Sequence, residues 1–472
     1  MNHQSNHATE RLTGKTWRKL LLLYSVSHGF LLFCWNALFW DDWMVYSRGS
    51  EFTKNFYATC ERCGIPFRGE YEALLLAVGP WLFHLLVFLM WPVCGLLIER
   101  VLTTLAVWPR NITQIIVTAF VLTPAYGARV ALINFQYTQS LLLFLLGTWL
   151  VLQRRPISRI IGVLPLFWSL FVPSFHILIV VTICLLGQKH RQLLTRKPLT
   201  AVSGLVLLLS FPLLHRYVIP QIWSNLQVTD GYNTIRPIFL VRAILVCSVL
   251  LVPTTLIALK ARRGQAMGVP YQLFAIGCGL LALGSFPYLA VGHFSNLSDW
   301  VLPFLPDQSD WNSRHQLIQT IGLSLLTAAV IELLGQHRSR AAAVVIVVSA
   351  CLNVAIYSGY YLDWLKQQAF IAEVTEMRTR FSDGDAVIIS DLAHDFNARG
   401  RGVRAYEWEG MMAQATGLNI VADSESLAFC SEQEPRYQLT IAPTAGRLKA
   451  LVSNSVVIQV SLTELPMCNP TE

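Results

Sequence analysis

Leu20 to Phe39 reads LLLLYSVSHGFLLFCWNALF, and Trp40-Asp41-Asp42-Trp43 follows it directly. The run is long enough to cross a bilayer, which takes roughly 20 mainly apolar residues. Lys15, Arg18 and Lys19 precede it. Its far flank holds no small-residue cleavage site, so it reads as a retained first span rather than a signal peptide. The whole chain shares this character: 54% of its 472 residues are hydrophobic, 14% are charged, and mean hydropathy is +0.48. A soluble domain carries about a quarter charged residues. The net charge of +8 therefore has a source other than nucleic-acid binding. Lys and Arg gather in alternate short loops, the pattern of segments kept on the cytoplasmic side.

Outward from that first run, apolar stretches predict spans near 18–39, 73–98, 111–127, 138–152, 160–173, 174–187, 199–218, 238–259, 271–291, 315–334 and 341–361. The expected fold is thus an all-α polytopic membrane protein of about 11 transmembrane helices. Pro165 and Pro173 interrupt the fifth and sixth, where one re-entrant hairpin is the other arrangement. The cation-rich loops include Arg100 and Arg110, Arg154 to Arg159, Lys189 to Lys197, Lys260 to Arg263, and Arg338 to Arg340. Placing them in the cytoplasm puts the N-terminus inside and the C-terminus outside. Residues 1–361 then form the membrane domain, with outer loops near 40–72, 124–139, 218–237 and 292–314. Residues 362–472 form a small α/β domain on the outer side, with strands at Ala386–Ser390, Tyr437–Ala442 and Val456–Val460. The expected location is a bacterial inner membrane, with the C-terminal domain periplasmic.

Six cysteines fall in spans, where a thiol is a small apolar group. Cys60, Cys63, Cys430 and Cys468 lie in outer segments, and an oxidising compartment predicts disulfides Cys60–Cys63 and Cys430–Cys468. Cys60-x-x-Cys63 is otherwise half of a zinc site or a redox pair, but no matching Cys/His pair follows in its loop.

The residues able to carry chemistry crowd at the outer boundary, and each reads two ways. Asp41 and Asp42 are either a proton acceptor with its partner, open to a divalent cation such as Mg or Mn, or an interfacial cap between two Trp anchors. Arg129 either holds a lipid phosphate or snorkels. Arg314 and His315, entering the tenth span, bind a phosphate or anchor at the interface. Tyr232 and Asn233 contact a sugar or form a turn. Arg404, Tyr406, Glu407 and Trp408 mix cations, an acid and aromatics, which suits carbohydrate but equally a face packed on the membrane domain. His84 and His176 lie inside spans, where an ionisable group marks function by default but neutral His also packs. There is no G-x-x-x-x-G-K-[ST] and no strand-bound G-x-G-x-x-G, so nucleotide chemistry has no support in the sequence.

A first span leading into Asp41-Asp42, ten or more spans and an outer C-terminal domain together resemble the GT-C class of membrane glycosyltransferases. Within it, the chain is similar to bacterial enzymes that decorate O-antigen and other surface polysaccharides. The resemblance implies a polyprenyl-phosphate-linked sugar donor, a glycan acceptor and an inverting transfer. One of Asp41 and Asp42 would be the general base, and Arg129 and Arg314 would receive the leaving phosphate. A second acidic motif found in some members is missing from the next outer loop. The competing expectations are a flippase or transporter for a lipid-linked glycan, an O-antigen polymerase or ligase, and a non-catalytic assembly partner.

Overall fold

The computed structural model describes residues 13–59, 64–189, 209–222, 236–262, 268–292, 314, 316–424 and 436–465. Among these the chain is mainly helical, with one four-stranded sheet near the C-terminus. Four helices are long and apolar enough to cross a membrane: Pro80–Leu105, Pro237–Ile257, Val269–Ala290 and Gly335–Glu376. Pro156–Ser169, Pro173–Gly187 and Gln319–Leu333 are apolar but shorter, and the expected eleven spans are not shown among the described residues. Exposure agrees with the membrane assignment. Ile160, Leu164, Ile238 and Val249 are each more than 70% exposed, a disposition that hydrocarbon solvates and water does not.

The run that opened the sequence reading is not one helix. Gly14–His28 and Phe30–Phe33 are helical, and the chain then leaves helical geometry from Cys34 to Trp40. Tertiary partners explain the break, because backbone groups there are satisfied from elsewhere. The Ala37 carbonyl accepts from His84 Nε2 at 3.4 Å, and the N–H groups of Phe39 and Trp40 donate to Asp42 and Glu407. His84 is therefore a packing residue that holds this turn. The third expected span is also shortened, to a helix at Arg110–Val121.

Small residues let the helices approach closely, as expected where lipid supplies no hydrophobic drive between them. A Cβ on Gly147 would sit 2.8 Å from the Gly162 carbonyl, which ties helix Phe135–Val151 to helix Pro156–Ser169. Gly277 and Gly322 do the same for helices Val269–Ala290 and Gln319–Leu333, with Cβ clearances of 3.1 and 2.9 Å.

The two ends of the bundle differ. At the cation-rich end Trp17 Nε1 donates to Glu99 at 2.9 Å, and Lys189 Nζ donates to the Thr104 carbonyl at 2.6 Å. At the other end gather the loops around residues 34–79 and 122–134, together with the sheet. The helix Arg338–Glu376 leads toward that sheet, and a short connection with a 3₁₀ turn at Arg378–Arg380 joins it to the strand that begins at Ala386. The expected boundary at residue 361 lies inside this helix.

The sheet has the order β2-β1-β3-β4. β1 (Ala386–Asp391) pairs in parallel with β2 (Val421–Asp423) and with β3 (Tyr437–Pro443), and β3 pairs antiparallel with β4 (Ile458–Glu464). β1, β3 and β4 match the strands expected from sequence to within a few residues, and β2 was not anticipated. Helix Ala405–Thr416 crosses from β1 to β2, and Gly417 ends it at φ +75° in the left-handed conformation that favours glycine. Its buried face, Trp408, Met411, Met412 and Ala415, packs toward the long helix, with Phe370 edge-on to Trp408 at 5.2 Å.

Candidate functional site

The site grows from the turn at Phe39 to Trp43. Trp40 has φ +52°, a strained value for a bulky side chain. The strain is held from two directions. Glu407 Oε2 accepts the Trp40 N–H at 3.1 Å, and the Arg401 guanidinium lies 5.2 Å from the Trp40 ring centre. This turn sends the two adjacent carboxylates into opposite surroundings.

Asp42 points inward and is fully buried. Its oxygens accept three backbone N–H groups, from Phe39 at 3.1 Å, Leu132 at 2.8 Å and Ile133 at 2.8 Å. It thereby staples the turn to the ribbon at residues 127–134, which is built of two short 3₁₀ turns, Gly127–Val130 and Leu132–Asn134. Burial pushes its carboxyl up to about 8, against the opposing pull of the three N–H donors. A sealed carboxyl with both oxygens engaged is not a proton acceptor for a substrate. Of the two aspartates, only Asp41 keeps a carboxylate that a substrate can reach.

Asp41 is the reachable member, with its side chain 28% exposed. Its Oδ1 accepts from the Tyr406 hydroxyl at 2.6 Å, and Arg404 Nη1 lies 3.7 Å away. Arg404 Nη1 also donates to the Tyr406 hydroxyl at 2.8 Å. The structure thus brings together three residues picked from distant parts of the sequence. Burial and the neighbouring Asp41 both push the Tyr406 phenol up, so it stays a neutral donor.

Glu407 and Trp408 do not belong to an exposed sugar-contacting surface. Glu407 is fully buried and accepts from Arg401 Nη1 at 2.8 Å, from the Trp40 N–H, and from the Arg404 N–H at 3.1 Å. The last bond closes the first turn of its helix. Trp408 is 1% exposed and forms core. Both face inward because helix Ala405–Thr416 turns this side toward the bundle.

A buried ionic frame fixes the junction. Arg401 bridges Glu407 and Asp363, donating from Nε to Asp363 Oδ2 at 2.9 Å. Lys366 donates to Asp391 and to Asn397, each at 2.6 Å. Behind Asp42, Arg68 donates to Glu72 at 2.9 Å and to the Tyr57 hydroxyl at 2.7 Å, while the Tyr46 hydroxyl also donates to Glu72. Arg68 further reaches the Ile133 carbonyl at 3.3 Å, so both backbone polar groups of Ile133 are held.

Arg129 leaves the other face of the ribbon and enters the bundle. It is 1% exposed, which rules out snorkelling to the surface. Its Nε donates to the Tyr357 hydroxyl at 2.5 Å, and its guanidinium stands 4.4 Å from the Trp91 ring centre. Both Nη atoms lack a hydrogen-bond partner among the described residues. His28 lies beside it, its ring 5.2 Å from that of Tyr357, and its Nε2 is likewise without a partner there. The sequence reading missed His28, Trp91 and Tyr357; a histidine within the first apolar run was the available signal.

Arg314 is half-buried, two residues before Gln316, whose Oε1 accepts from the Tyr126 N–H at 3.5 Å. That contact sets the segment next to the ribbon bearing Arg129. Tyr232, Asn233, His315, Cys60, Cys63, Cys430 and Cys468 lie outside the described residues. The donor set at Asp41 and Asp42 does not fit a divalent cation, since Asp42 spends both oxygens on backbone N–H groups and a guanidinium flanks Asp41. No group of three or more His, Cys, Asp or Glu able to hold a metal occurs among the described residues. No family model, curated protein or solved structure matches the chain.

Proposed function

We propose that this chain is a polytopic inner-membrane glycosyltransferase of the GT-C type. It moves a sugar from a polyprenyl-phosphate donor to a surface glycan such as O-antigen, on the periplasmic side. The observation that carries this reading is Asp41, a reachable carboxylate on a strained turn, met by Tyr406 and Arg404 where the bundle joins the sheet. The full arrangement of about eleven spans, N-terminus inside and sheet domain outside, belongs to the same proposal and rests on the charge asymmetry of the loops.

In this reading Asp41 accepts the proton of the acceptor hydroxyl through the oxygen that Tyr406 leaves free. The hydroxyl oxygen forms a bond to the anomeric carbon as the bond to the phosphate oxygen breaks, and that electron pair leaves with the lipid phosphate. Attack and departure on opposite faces invert the anomeric centre. Tyr406 and Arg404 hold Asp41 in one orientation. Arg129, with two unpartnered Nη groups, suits the charge growing on the departing phosphate, and Arg314 stands on the neighbouring segment. Donor entry requires the bundle to part beside residues 127–134, because Arg129 is enclosed.

One observation favours a second reading. A guanidinium inside a helical bundle with neither Nη bonded among the described residues also suits a path for a lipid-linked anion, as in a flippase. Mass spectrometry of the surface polysaccharide separates the two. A deletion strain should regain the missing sugar with wild type and not with Asp41→Asn. Recovery with the variant, at equal membrane abundance, favours transport.

A further inference from the structure

A cavity of about 690 Å³ opens beside the Asp41 turn and is not used by the chemistry above. It is an open groove rather than an enclosed chamber, with a volume in the range of sites that take small organic ligands. We propose that it is a carbohydrate subsite holding one or two neutral sugar rings of the acceptor glycan; this rests on the glycosyltransferase reading.

The lining carries the argument. Trp35 and Trp81 face the cavity with their rings stacked, 16° apart in plane and 5.8 Å between centres. Trp35 is 56% exposed, so an indole surface is free for a ring to lie against. Trp81 is held in place rather than merely present. Its Nε1 donates to the Val78 carbonyl at 3.2 Å. Its ring lies so close over Gly79 that a Cβ there would come within 2.7 Å of it. Gly79 also has φ +136°, a conformation open to glycine. The sequence thus places a residue without a side chain where the indole must lie flat.

Around the indoles stand Asn36, Ser47, Ser50 and Gln414, which supply amide and hydroxyl groups. Among the described residues, no Lys, Arg, Asp or Glu lines the cavity. A site with no charge does not select a phosphate or an anionic headgroup, and four polar side chains are wasted on an acyl chain. Aromatic faces with neutral donors and acceptors match the apolar faces and hydroxyl edges of a sugar ring.

Position ties the cavity to the site. Leu38, Tyr46 and Ser47 on its wall belong to the segment that carries Asp41. Gln414 sits eight residues beyond Tyr406 on one helix, about 12 Å along its axis. A glycan chain bound against the indoles therefore lies within a few sugar units of Asp41.

The test is saturation-transfer NMR on the full chain in lipid nanodiscs free of glycoside detergent. The probes are the methyl glycosides of glucose, galactose, mannose and rhamnose. At least one should receive saturation, with affinity falling tenfold or more in both Trp35→Ala and Trp81→Ala at unchanged melting temperature. Asp41→Asn should bind as wild type does while losing transfer, which separates the subsite from the chemistry. Absence of saturation for all four, or saturation indifferent to both Trp variants, overturns the proposal even if transfer is intact. Quenching of Trp35 by lipid brominated on its acyl chains, not relieved by any glycoside, also overturns it and makes the cavity a lipid contact.

Discussion

Asp42→Ala removes the acceptor for three buried N–H groups at once, those of Phe39, Leu132 and Ile133. Leaving a buried donor unmade costs about 1–3 kcal/mol. Part of the loss is relieved if water enters, so the variant should be destabilised by about 3–6 kcal/mol. Unfolding entropy of about 2.1 cal/mol/K per residue gives roughly 1 kcal/mol/K for a chain of this length. The melting temperature in detergent should then fall by about 3–6 °C if the described bundle unfolds as one unit. Asp41→Asn is the matched control. It disturbs an outward carboxylate with one hydroxyl partner, so its melting temperature should shift by no more than about 1 °C. Differential scanning fluorimetry on both variants reads the contrast directly. Equal melting temperatures for Asp42→Ala and wild type would refute the stapling role, and a large drop in Asp41→Asn alone would reverse the assignment of the two aspartates.

The same group gives a pH dependence. With Asp42 pushed up to about 8 in the fold and near 3.9 when unfolded, the folded chain holds the extra proton between those values. Its contribution is therefore fully present below about pH 4 and is lost as pH rises through 8. Melting temperature should fall from pH 6 to pH 9, and Asp42→Asn should lack that part of the slope. Arg401→Met strands the buried carboxylates of Asp363 and Glu407, at a cost of about 3–5 kcal/mol. Limited proteolysis should then cut around helix Ala405–Thr416 at protease levels that leave wild type whole. Arg129→Lys keeps the charge but loses the planar fork, so the donor KM should rise about tenfold or more with little change in melting temperature. An unchanged KM would free Arg129 from any role toward the phosphate.

Sequence made the membrane character legible because apolar length and loop charge are local properties. Three of the four strands were legible for the same reason: Ala386-Val-Ile-Ile-Ser390 and Tyr437 to Ala442 carry β-branched and aromatic residues at strand spacing. β2, only three residues long, gives no such signal. The break after Phe33 was hidden because much of its cause lies far along the chain, in His84 and Glu407. Asp41, Arg404 and Tyr406 could each be singled out, but their meeting could not, since nothing local links residues 365 positions apart. Local chemistry was also silent on which side each would face. Glu407 and Trp408 fit either a sugar-contacting surface or a face packed on the membrane domain, and Arg401, which holds Glu407 inward, carried no distinguishing pattern. That neither Arg129 Nη finds a partner among the described residues depends on what surrounds it in the bundle, and so does the aromatic enclosure by Trp91 and Tyr357.

The most direct measurement is transfer by the purified chain in nanodiscs. It uses a polyprenyl-phosphate-linked radiolabelled hexose and the surface glycan of the deletion strain, with wild type, Asp41→Asn and Tyr406→Phe side by side. Wild type should move the label onto the glycan. Asp41→Asn should lose about 10²–10⁴ of that rate, the usual worth of a positioned base, at an unchanged melting temperature. Tyr406→Phe should lose less, since it orients the base and does not take the proton. Full-rate transfer by Asp41→Asn, or no transfer by wild type with any such donor, would contradict Asp41 as the centre of a glycosyl transfer.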